Sequence, residues 1–144
     1  MSEPLEIRFT GRSDDFLSFQ VLGRSNPGIK DYSGSNLLAV EGFVSVSVFQ
    51  GNVSRDIHLE ELQAFSESLS HLHETLTGEA LLEPLDGWLK LRVEVGKLGQ
   101  IKLSGDIRNG IYDENSLHFV LYTDQTFLNT PMRQIKHVLK HYPC

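Results

Sequence analysis

The strongest constraint on this chain is the way apolar and polar side chains alternate in short consecutive runs, with a helical period appearing only twice. Leu5, Ile7 and Phe9, then Leu17, Phe19 and Val21, then Leu38, Val40, Val44, Val46 and Val48 keep one parity, while Ser45 and Ser47 fall on the other. A two-residue period of this kind marks strands with one buried face. Gln50-Gly51-Asn52 reads as a tight turn into a strand from Val53 to Ile57, and Gly42, which packs nothing, as a bulge or bend in the long third strand. From Leu59 the period becomes 3.6: Leu62, Phe65, Leu69, Leu72 and Leu76 recur at steps of three and four, with Gly78 beyond them as a cap. Alternation then resumes around Leu81, turns at Pro84-Leu85-Asp86-Gly87, continues through Leu89, Leu91, Val93 and Val95, turns again between Gly96 and Gly99, and runs on through Ile101, Leu103, Ile107, Leu117, Phe119 and Leu121. A last helix is expected to open with Thr130 as N-cap and Pro131 in its first turn, with Met132, Ile135, Val138, Leu139 and Tyr142 as its apolar stripe.

Strands joined by short turns cannot be parallel, because every parallel pair needs a long crossover. The expected fold class is therefore α+β: a curved antiparallel sheet of about eight strands with two amphipathic helices packed on one face. No Pro-, Gly- or Ser-rich linker divides the sequence, and a length of 144 residues suits one domain spanning 1–144.

Charge narrows the functional classes. The net charge of −6 argues against a surface built throughout for nucleic acid. Asp56, Glu60, Glu61, Glu67, Glu74, Glu79, Glu83 and Asp86 lie in a segment without Lys or Arg, so the remainder of the chain carries 13 − 11 = +2. There is no apolar run of membrane-spanning length and no leader-like N-terminus, and the single cysteine is Cys144. The expectation is a cytoplasmic protein without disulfides or membrane association.

The order of elements and the residues at their joints resemble the WapI-type immunity protein family, small bacterial proteins that protect a cell from a delivered toxin. The features are Asp31-Tyr32-Ser33-Gly34-Ser35-Asn36-Leu37-Leu38 before the long strand, Leu76-Thr77-Gly78-Glu79-Ala80 after the helix, Trp88-Leu89-Lys90-Leu91, Asp124-Gln125-Thr126-Phe127-Leu128, and Tyr142-Pro143 closing the final helix. What the resemblance implies is a stoichiometric inhibitor of a cognate protein toxin, not an enzyme, with no cofactor and no metal. It names no contact residues, so these are sought in the sequence itself.

Glu60, Glu67 and Glu74 repeat every seven residues and form a negative ridge on the first helix. Such a ridge suits a toxin with a basic groove, for example a nuclease domain, although an ordinary solvated helix face has the same pattern. The segments Arg24 to Asn36 and Asn109 to Asn115 carry Tyr32 beside Asp31 and Tyr112 beside Asp113 and Glu114. Their rings serve either as contact anchors or as covers over an open end of the core. Asp124, Gln125 and Thr126 read as a hydrogen-bonded turn that fixes the last helix.

The alternative function is a nucleic-acid or ligand-binding module using the row Trp88, Lys90, Arg92, Lys102 and Tyr122 on the open sheet face; a small enzyme with an unrecognised site is a further one. His137 and His141 have the spacing of paired metal ligands but no third ligand motif, and Thr77 stands where a zinc-protease motif beginning at His73-Glu74 needs its second His.

Overall fold

The computed structural model describes residues 5–25 and 36–143. The elements run β1 (Leu5–Thr10), β2 (Phe16–Arg24), β3 (Leu37–Val46), β4 (Phe49–His58), α1 (Leu59–Thr75), β5 (Glu79–Leu82), β6 (Leu89–Val95), β7 (Ile101–Ile107), β8 (Leu117–Thr123) and α2 (Gln125–His141), with one 3-10 turn at Arg12–Asp14. Every strand pairing is antiparallel. The class is α+β, as the alternation requires.

The strands divide into two sheets of four, ordered β1-β2-β3-β4 and β5-β6-β7-β8, where one continuous sheet was expected. The chain therefore repeats a unit of four strands and a helix. Helix α1 follows β4 without a linker and carries the chain away from that strand's edge, so β5 begins a new sheet. The apolar parity of the strands is covered partly by the helices, as where Phe9 meets Phe65 of α1 at 6.3 Å, and partly by the other sheet, as where β4 approaches Leu117 of β8. Their buried side chains form one continuous cluster that includes Phe19, Leu38, Val44, Leu69, Leu91, Leu103 and Phe119. The helices pack on one another; α1 also lies against β5 and α2 against β1.

Several local expectations are corrected. The β3–β4 connection is the tighter turn at Ser47-Val48, with Ser47 at a φ of +56°, and Gly51 lies inside β4 opposite Val44. A side chain at Gly51 would put its Cβ 2.9 Å from Leu117, so the glycine permits close approach of the two sheets. Gly42 is no bulge: pairing runs unbroken through Phe19, Gly42 and Val53, and the irregularity sits between Val21 and Gly23. What Gly42 admits is Trp88, whose ring lies 3.1 Å from where its Cβ would stand. Helix α1 is capped at its end by Leu76 in the left-handed conformation, with its N–H bonded to Leu72 O at 2.8 Å, ahead of Gly78. Helix α2 starts five residues before the expected cap, because the Asp124 carboxylate accepts from Phe127 N at 3.1 Å; Pro131 is consequently inside the helix.

Trp88 was placed by parity on the outer face with Lys90 and Arg92, yet it is 0% exposed. It precedes β6, whose pleat begins at Leu89, and turns inward to donate its Nε1–H to Asp56 O at 2.9 Å and to meet Phe19 edge-on at 6.2 Å.

Candidate functional site

The largest cluster of sequence-derived candidates comes together where α1 begins. The Glu61 carboxylate accepts from His58 N through Oε1 and from Leu85 N through Oε2, each at 2.8 Å. One side chain thus caps the first turn of α1 and ties it to the turn at residues 84–87. That turn closes with Gly87 N donating to Pro84 O at 2.9 Å, and the φ of +74° at Gly87 is one that residues with a Cβ rarely adopt. Arg108 reaches it from the end of β7, donating Nε–H to Gly87 O at 3.1 Å. Ile111 lies directly against Gly87. Arg55 on β4 holds the other side of the same loop, its Nη2 donating to Asn109 O at 2.6 Å and to Asn109 Oδ1 at 2.9 Å.

These bonds fix a surface on which three apolar side chains stand in solvent: Leu85 at 82% exposed, Ile111 at 53% and Tyr112 at 96%. Tyr112 does not fold back over the core. Asp56 and Asp86 line a shallow groove of about 220 Å³ with Leu37, His58 and Leu85, while Asp113 and Glu114 follow Tyr112 in the chain and Glu60 precedes the Glu61 that holds Leu85 N. Asp113 shapes the loop: its carboxylate accepts from Asn115 N at 3.0 Å and its own N–H reaches Gly110 O.

Glu60 belongs to this end, accepting from Asn36 Nδ2 at 2.7 Å. Glu67 and Glu74 are exposed on the same helix and continue the ridge about 10 and 21 Å further along its axis. Asp31 and Tyr32 lie outside the described residues. Leu85 and Ile111 escaped the sequence reading, although an apolar residue at the tip of a Pro-to-Gly turn and another beside a loop tyrosine were the available signals.

The outer face of the second sheet is less distinctive than its cations suggested. With Trp88 in the core, Tyr122 is the aromatic left from the expected row. Lys102 sits between Tyr122 and Glu94, Arg92 pairs with Glu79 at 3.4 Å, and Asp106 bonds His118 at 3.0 Å beside Lys90. Positive and negative groups alternate there, as on an ordinary wet sheet face. At the far end of α1, His73 and Gln125 exchange side-chain-to-carbonyl bonds of 3.2 and 3.1 Å, which dock α2 on α1 through the turn expected at Asp124 to Thr126.

Among the described residues, no three His, Cys, Asp or Glu side chains gather in a way that would hold a metal ion, and no helix is long and apolar enough to cross a membrane.

The model of a family described as immunity protein WapI-like matches residues 8–143. No curated protein matches. Among solved structures, a chain from the crystal structures of Trypanosoma bruciei MRP1/MRP2 is similar in fold, with a TM-score of 0.53 at 7% identity over 98% of this chain and 86% of that one.

Proposed function

The chain belongs to the WapI-like immunity protein family, and on that premise we propose that it binds a cognate bacterial toxin in the cytoplasm and neutralises it by stoichiometric occlusion, catalysing nothing itself. The contact surface is the end of the molecule where Leu85, Ile111 and Tyr112 stand among carboxylates, continued by the ridge of Glu60, Glu67 and Glu74. The observation that carries this reading is Tyr112, an aromatic ring 96% exposed on a loop that Arg55 and Arg108 brace from both sides. With the loop backbone tied at Asn109, the exposed ring has chiefly its own two side-chain torsions to order on binding, a modest cost for a large contact area. Nanomolar affinity corresponds to about −12 kcal/mol, within reach of an interface of roughly 1,600 Å² that has a few such anchors. The carboxylates favour a toxin with a basic contact surface, such as a nuclease; Asp31 and Tyr32 are proposed members of the same surface on sequence grounds alone.

Co-expression with the protein encoded by the neighbouring reading frame tests this. A one-to-one complex and survival of toxin-expressing cells are expected, with Tyr112→Ala weakening the complex about tenfold or more while leaving the melting temperature in place. Cells left unprotected, or a Tyr112→Ala variant that binds like the parent, would count against it.

A further inference from the structure

A sheet edge that carries unpaired backbone groups is a ready template for another strand, and folded proteins normally block such edges. Two of the four sheet edges here are blocked along their length or kept short. On β1 the outward N–H of Arg8 donates to Gln134 Oε1 of α2 at 2.7 Å, and β5 has only 4 residues and lies under α1. On β8 the turn between β1 and β2 rests at the top of the edge, where a Cβ on Gly11 would be 3.0 Å from Tyr122 O.

Strand β4 differs. It is 10 residues long, pairs with β3 without a bulge and contains neither Pro nor Lys. The bonds at its C-terminal end establish which way its backbone points. Asp56 O accepts from Trp88 and His58 N donates to Glu61, so the even-numbered residues turn their N–H and C=O away from β3. By the same alternation, the N–H and C=O groups of Gln50, Asn52 and Ser54 face outward, and among the described residues no backbone bond outside the sheet engages them. All three residues are exposed. Beside Asn52, the middle one of the three, runs a groove of about 250 Å³ between β4 and the β7–β8 segment, lined by the apolar Val53, Ile107 and Leu117 and the polar Asn109, Asp113 and Asn115.

We propose that this edge receives an extended segment of the toxin as a fifth strand, bonded through the main chain to Gln50, Asn52 and Ser54. The inference rests on the immunity reading above and deepens it. The groove shares Asp113 with the surface that bears Tyr112, so strand and anchors form one continuous footprint. The groove fits a small β-branched side chain on the apolar side and a Lys or Arg opposite Asp113. A second copy of this chain fits less well, because pairing two β4 edges places both copies' Asp113 and Glu114 along one seam, where like charges repel.

The test is residue-resolved amide hydrogen exchange on the protein alone and in complex with the product of the neighbouring reading frame. Alone, the amides of Gln50, Asn52 and Ser54 exchange fast while those of Gly51, Val53 and Arg55 are protected; in the complex all six are protected. Asn52→Pro and Ser54→Pro, which remove outward N–H groups, weaken binding about tenfold each, whereas Asn52→Ala and Ser54→Ala leave it within about twofold, because main-chain bonds survive a side-chain change. A complex that forms with the three outward amides still fast overturns strand addition and leaves occlusion standing. Absence of any complex overturns both. Protection that grows with concentration in the protein alone assigns the edge to a second copy and overturns the toxin assignment.

Discussion

At the scale of single residues, Trp88 decides most. It fills the space that Gly42 leaves, meets Phe19 edge-on and bonds a backbone carbonyl of β4. Its truncation therefore combines a large cavity with an orphaned acceptor. Trp88→Ala is expected to lower stability by about 3–5 kcal/mol, and Trp88→Phe by roughly 1–3 kcal/mol, in urea unfolding; a smaller loss from Trp88→Ala than from Trp88→Phe would contradict this account. The inward turn of Trp88 was not legible in the sequence, since alternation orders side chains only inside a pleat and the pleat starts one residue later. Tyr112 was legible as a loop aromatic, but the loop that carries it is tied at Asn109 by Arg55 of β4 and to the 84–87 turn by Arg108, contacts that sequence spacing does not show. The backbone of Leu85 is held by Glu61, a residue that the sequence showed only as one of the carboxylates of the acidic segment.

At the scale of elements, strand and helix identities followed from period alone, and the boundaries followed from caps that compete with one another. Thr130-Pro131 is a good helix start by composition, yet Asp124 sits at the end of β8, where its carboxylate reaches a free N–H of the next turn. Asp124→Ala should cost about 1 kcal/mol and Thr130→Ala less than about 0.5 kcal/mol in thermal or urea melts. Equal losses would return the cap to Thr130. The α1 ridge acts as an element too. Reversing Glu60, Glu67 and Glu74 to Lys together should slow association with a basic toxin by roughly tenfold or more at low ionic strength and far less at high salt, with little change in dissociation. Stopped-flow mixing across a salt series measures this, and salt-independent rates in parent and variant alike would remove the ridge from the encounter.

At the scale of the whole molecule, short turns between period-two runs gave the antiparallel class but not the division into two sheets, because side-chain alternation records a strand's buried face and not its neighbours. The two units share one hydrophobic cluster, and each helix serves the unit to which it does not belong: α1 lies on β5, α2 on β1. Unfolding is accordingly expected to be a single transition in which far-ultraviolet circular dichroism and the fluorescence of Trp88 coincide; separated midpoints would mean that the units melt independently. The reciprocal arrangement also bears on how the protein is made. The amide of Arg8 is satisfied by Gln134, 126 positions downstream, so on the ribosome an early strand stays unshielded until the last helix emerges. A chain cut short by premature termination would release a sticky fragment with an open strand edge, prone to coaggregate.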